Sequence, residues 1–205
     1  MNPIASIWLM LTPAGVLQAF GSHQPDAQAQ AMQLLLTEDQ ALDQKRWMAI
    51  AGVDDSRLAY FQSQGWIEAL PRPMQGPDAK LDDFLQHVIG TLSAQRCAVL
   101  ASNEGFCLGF CGVSPDQAEL LSATAADFSD FVQRQEKRGW KGATRYAAFH
   151  SDPEFLLPEH SFIPFWVDGT GYWLILLGEP LLNNPAIVEL LWGIKLAGTR
   201  FLTSS

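Results

Sequence analysis

The sequence predicts an α/β (α+β) protein whose antiparallel sheet is covered by helices on both faces. Three features of the chain carry this. Leu81, Phe84, Leu85, Val88 and Leu92 recur at i, i+3, i+4, i+7 and i+11, one face of a helix. Ala118, Leu121, Ala125, Phe128 and Val132 draw a second stripe of the same kind. Between and after them lie strand-like runs, the strongest being Phe162–Val167 and Tyr172–Leu177 around Asp168–Gly171. In an antiparallel pairing Phe165 and Leu174 share one face, and Trp166 and Trp173 the other. Both faces are apolar, so both need cover.

Taken in order, Ile7–Leu11 and Val16–Gly21 read as two short strands around a turn at Thr12–Gly15, because Pro13 and Gly15 punctuate that gap. Pro25 opens a helix carrying Ala27, Ala31, Leu34 and Leu35. Leu42–Ala51 and Ser56–Glu68 follow as two more helices, with Asp54 and Asp55 placed to cap the second. Pro71, Pro73, Gly76 and Pro77 then mark a linker. The boundary drawn there separates residues 1–76, an α/β accessory domain of a hairpin plus helices, from residues 77–205. At an offset of ninety residues Gly15 matches Gly105, Phe20 matches Phe110, and Pro25 and Asp26 match Pro115 and Asp116. The accessory domain is therefore read either as a degenerate repeat or as winged-helix-like.

Beyond the first amphipathic helix, Cys97–Ala101 and Phe106–Gly112 form a hairpin around Asn103–Gly105. A three-residue loop there sets Cys97 opposite Cys111. Ser114 is a favoured N-cap and Pro115 suits the first helical position, where its missing N–H has no partner to lose. Asp116 and Glu119 complement the helix dipole, and Gly139 ends the helix. Arg145–His150 adds a strand. After the long hairpin, Asn184 and Pro185 start a closing helix that offers Ile187, Leu190, Leu191, Ile194 and Leu196 for burial.

Composition excludes several functions. Of 205 residues 48% are hydrophobic, so a sizeable core is available. Thirteen Lys plus Arg face 22 Asp plus Glu, a net charge of -9 that repels a phosphate backbone, and no nucleic acid partner is expected. No Lys or Arg precedes Lys45, and Pro13 and Gly15 interrupt the apolar stretch from Ile4 to Phe20. Neither a signal peptide nor membrane insertion is expected, and the location is read as cytoplasmic. Three cysteines and four scattered histidines suit neither a disulfide framework nor a metal site. The phosphate loop of nucleotide hydrolases and the nucleophile elbow of serine hydrolases are both missing. Asp168–Gly171 reads as a hairpin turn, and His150, Ser151 and Asp152 are too close in sequence for a triad. The chain is expected to be no enzyme.

The element order from 78 to 202 is helix, hairpin, long helix, strand, hairpin, helix. With the hairpins CAVLASNEGFCLGF and FIPFWVDGTGYWLILL and the closing helix NPAIVELLWGIKLAG, this resembles the roadblock/LC7 family, a small profilin-like fold. GAF, PAS and longin domains share related topologies. The resemblance implies a homodimer joined sheet edge to sheet edge, with the long helices packed together. It implies an adaptor or regulator that holds no cofactor and binds a small Ras-like GTPase or another signalling protein. On it, Phe128, Phe131, Val132, Gln135 and Tyr146 are expected at the dimer interface. Arg134, Lys137, Arg138 and Lys141 follow i, i+3, i+4 and i+7 and are expected to contact the partner. The sequence departs from a minimal domain in its N-terminal segment and in the insertion Ser151–Glu159. The alternative is a GAF/PAS-like small-molecule sensor, which needs an enclosed pocket between sheet and helices.

Overall fold

The computed structural model describes residues 6–77, 81–140 and 146–203. The chain begins with β1 (Trp8–Leu11), α1 (Pro13–Phe20), α2 (Ala27–Gln33) and a single 3-10 turn at Leu34–Leu36. It continues through β2 (Leu42–Asp43), α3 (Gln44–Ala51), α4 (Asp55–Ser63) and β3 (Ile67–Leu70). β1 is the centre of a three-stranded antiparallel sheet in the order β2-β1-β3.

Several N-terminal expectations are corrected here. Val16–Gly21 is not a strand and forms no hairpin with β1, because Thr12 and Pro13 start a helix instead of a turn. The Thr12 hydroxyl accepts the Gly15 N–H at 3.1 Å, and Pro13 holds the first helical position. Gly15, Val16, Ala19 and Phe20 then share a buried helical face. The hairpin on which an internal repeat would rest is therefore absent. Leu42 and Asp43 are a short strand, and Asp43 caps α3 by accepting from the N–H groups of Lys45 and Arg46. The expected helix 56–68 stops at Ser63. Gly65 turns the chain at φ +68, which frees Ile67–Leu70 to pair with β1.

The second sheet is built from β4 (Cys97–Ser102), β5 (Cys107–Cys111), β6 (Ala147–Phe149), β7 (His160–Val167) and β8 (Thr170–Leu177). Its order is β5-β4-β8-β7-β6, antiparallel throughout. Three helices accompany it: α5 (Leu81–Gly90), α6 (Pro115–Lys137) and α7 (Ala186–Thr203). Both faces are covered, as the apolar alternation requires. Val99, Ala101, Phe162, Trp173 and Ile175 pack under Ala118, Leu121 and Ala125 of α6. The alternate residues Ala98, Leu100, Ile163, Phe165, Leu174 and Leu176 pack against α5 and α7. The β7–β8 register places Ile163 opposite Leu174 and Pro164 opposite Trp173, so the expected sharing of faces holds. Asp168 (φ +49) and Gly169 (φ +81) form the two-residue turn, both left-handed.

Two details differ from expectation. Cys111 pairs with Ala98 rather than Cys97, because a bulge between Leu100 and Ala101 shifts the ladder. Cys97 instead directs its thiol to the Gly112 carbonyl at 3.1 Å. The apolar cluster beneath α5 and α7 also continues without a break into Leu9, Phe20, Met32, Trp47 and Phe61 of the N-terminal segment.

One charged group is built into that core. Lys195 of α7 is buried and donates to Asp168 at 2.6 Å, tying the β7–β8 turn to the helix. Beside this turn, burial raises the Tyr172 pKa above 10.0, and the negative charges of Asp168 and Glu104 add to the effect. The folded state thus keeps the phenol neutral after the unfolded chain has ionised it. That contribution to stability is complete below pH 10.0 and is lost as pH rises from there through the raised value. Urea unfolding across this alkaline range is expected to show a falling stability whose slope is reduced in Tyr172→Phe.

Candidate functional site

The end of α6, the strand β6 and the residues flanking them carry several exposed apolar side chains, among them Phe131, Trp140, Tyr146 and Phe149. Two cappings position this region. Ser114 accepts the Gln117 N–H at 3.2 Å and fixes the start of α6. At the other end the Arg138 and Trp140 N–H groups return to the Gln135 carbonyl, each at 3.0 Å, with Gly139 at φ +86 making the left-handed turn. That turn swings Trp140 back onto Phe131, ring edge to ring face at 6.3 Å. Both rings remain open to water.

The expected interface residues divide between packing and surface. Phe128 is half-buried and stacks on Phe149 at 5.7 Å. Its ring also meets Phe162 at 4.9 Å and Trp173 at 6.0 Å. It ties the outer aromatic group to the core under α6. Phe131 is exposed, while Val132 and Gln135 are half-buried. Tyr146 is exposed on its ring and shares a hydrogen bond with the Ser161 hydroxyl at 2.9 Å. Arg134, Lys137 and Arg138 are all exposed on the last turn of α6. Lys141 lies outside the described residues.

Sequence reasoning missed the residues that complete this surface. Phe149 is 48% exposed at the sheet margin. The loop that follows it carries Phe155, Leu156 and Leu157, at 70%, 73% and 56% exposure. This loop is closed rather than loose. The Glu159 N–H donates to the Phe149 carbonyl at 2.7 Å, and the Asp152 carboxylate accepts the Glu154 N–H at 2.9 Å. Phe155 sits at φ +55, a left-handed conformation that costs a bulky residue about 1 kcal/mol or more. Its ring is thereby held against His150 at 5.4 Å. A signal was present: three consecutive apolar residues between Pro153 and Pro158, with no strand or helix period to bury them.

β6 is the outermost strand on this side, only three residues long, and among the described residues no strand pairs with its outer edge. A free edge flanked by exposed aromatic and aliphatic side chains offers both main-chain hydrogen bonds and apolar contact. Under the first half of α6, at Ala118, Leu121 and Ala125, the space above the sheet is filled by side chains. Among the described residues no three His, Cys, Asp or Glu side chains gather as metal ligands, and no helix is long and apolar enough to cross a membrane.

No family model matches the chain, and no curated protein matches it. Among solved structures, the Roadblock/LC7 domain from Streptomyces avermitilis is similar over 62% of this chain and 100% of its own, at 16% identity and a TM-score of 0.38. MglB of Myxococcus xanthus is similar over 62% of this chain and 98% of its own, at 11% identity and a TM-score of 0.38. Likeness at this level assigns no role to any residue.

Proposed function

We propose that this chain is a non-enzymatic, homodimerising adaptor whose partner is a small Ras-like GTPase or another signalling protein. The observation that carries the protein-binding part is the free β6 edge bordered by Phe131, Trp140, Phe149, Leu156 and Leu157, all exposed. A strand edge is self-complementary about a two-fold axis. β6 paired antiparallel with the β6 of a second copy continues the sheet and brings the two α6 ends together. The GTPase class of partner rests on the roadblock resemblance of the element order. Residues 1–76 are an accessory unit to this module in the same reading.

Sedimentation at micromolar concentration is expected to give about twice the chain mass of 22.6 kDa. Replacing Phe131 and Leu156 together by Asp is expected to give a folded monomer, because both side chains face water within one copy of the chain, with a melting point lowered only by the loss of association. A parent protein that sediments as a monomer sinks the dimer. Arg134, Lys137, Arg138 and Lys141 are assigned to the contact with an acidic partner. The paired change Arg134→Glu and Arg138→Glu is expected to slow capture of that partner and flatten its salt dependence, with folding unaffected. Equal association rates across a salt series would reduce the cluster to a solvated helix end.

A further inference from the structure

A cleft of about 680 Å³ opens at the turn end of the five-stranded sheet, where N-terminal and C-terminal residues meet. Its floor is Trp166 and Trp173. Gln133 and Glu136 of α6 line one side, and His23 and Gln24, after α1, line the other. β6 pairs with β7 only from His160 to Phe162, and Pro164, which has no N–H to offer a further strand, lies beyond it.

The floor is fixed in place before any guest arrives. Trp173 is buried, and its indole N–H donates to the Ser129 hydroxyl at 2.8 Å. Ser129 in turn lies 3.3 Å from the Asn103 side-chain oxygen. Asn103 sits so close over Gly171 that a Cβ there would fall 1.9 Å from its amide. Trp166 is partly open, with the His23 ring tilted beside it at 6.0 Å.

The electrostatics of the cleft select the guest. Among the described residues no Lys or Arg lines it, and Glu136 supplies a carboxylate. Two ion pairs are seen among the described residues, Arg46–Glu38 and Lys195–Asp168, and neither involves this carboxylate. The indole ring face is negative as well, and tryptophan is the strongest of the aromatic cation acceptors. An anion is repelled by both groups. A neutral guest would cover the carboxylate without compensating it. The geometry points to a binding site for a small organic cation, an amine or quaternary ammonium. Its charge lies between Glu136 and the Trp166 ring face, and Gln24 and Gln133 are available to its polar tail. The cleft volume is within the usual span for small-molecule sites.

The test compares choline with 3,3-dimethylbutan-1-ol, which has the same shape and no charge. Indole N–H signals of the full chain are followed by NMR, with Trp166 identified by the signal lost in Trp166→Phe. Choline is expected to move that signal saturably, and the alcohol to bind about tenfold more weakly or less. Glu136→Gln is expected to weaken choline by a similar factor at an unchanged melting point, while Ile50→Asp, at an exposed position of α3, leaves it unaffected. Equal binding of the alcohol, an indifferent Glu136→Gln, or no saturable shift with choline overturns the assignment.

Discussion

Trp192→Ala is expected to cost about 4 kcal/mol, the sum of a large buried aromatic lost and a hydrogen bond left open. Trp192 is only 1% exposed, in the middle of α7. Its indole N–H donates to the Glu38 carbonyl at 2.8 Å, across 154 positions of sequence. Its ring also fills the space over Gly76, where a Cβ would approach it to 2.9 Å. One side chain therefore closes α7 against two parts of the N-terminal segment. Truncation removes the ring, leaves a cavity that these backbones cannot fill, and strands a carbonyl. Trp192→Phe keeps most of the apolar contact and is expected to lose about 1–2 kcal/mol. A domain of this size has about 5–15 kcal/mol in total, so the alanine variant should shift the urea midpoint far to the left. A loss below about 1 kcal/mol would mean that α7 and the N-terminal segment do not share a core.

Gly15→Ala sets two effects of opposite sign against each other. Gly15 lies inside α1, where alanine is favoured over glycine by about 1 kcal/mol. A Cβ at Gly15, however, would fall 1.9 Å from the Trp66 carbonyl oxygen, a backbone atom with no rotamer to change. The helix has little freedom to withdraw. The Thr12 N–H donates to that same carbonyl at 3.0 Å, and the Thr12 hydroxyl donates to the Gly65 carbonyl at 2.5 Å. Relief of the overlap must break this clamp or lift α1 from the core. Overpacking of this kind costs about 3 kcal/mol, so the net expectation is a destabilisation of about 2 kcal/mol. Gly198→Ala is the matched control. It is also helical, it meets nothing within 4 Å, and it should stabilise by a few tenths of a kcal/mol up to about 1. If both substitutions stabilise, α1 does not touch the Trp66 backbone.

The same glycine shows where sequence reasoning ends. Thr12, Pro13 and Gly15 compose a turn as readily as a helix start, and the apolar run Val16–Phe20 is too short for its period to decide. Ser114 and Pro115 carry the same cap chemistry, yet there a stripe extending to Val132 removes the ambiguity. Length separates the two cases. The β7–β8 hairpin was legible for a similar reason, since two long apolar runs around Asp168 and Gly169 allow one register that buries both faces.

The surface was less legible. Phe128 and Phe131 are three apart on one helix, but only contact with Phe149, Phe162 and Trp173 decides that the first is core and the second surface. Local periodicity, caps and turn residues by themselves determined the second sheet, its helices on both faces and the class of fold. Tertiary structure alone decided that β1 pairs with strands more than thirty and fifty positions away, that Trp192 reaches Glu38, and that His23, Glu136 and Trp166 line one cleft. The physical reason is range: a cap or a helical stripe is an interaction among neighbours in the chain, whereas a strand partner or a pocket wall is chosen by competition among distant segments for the same buried area.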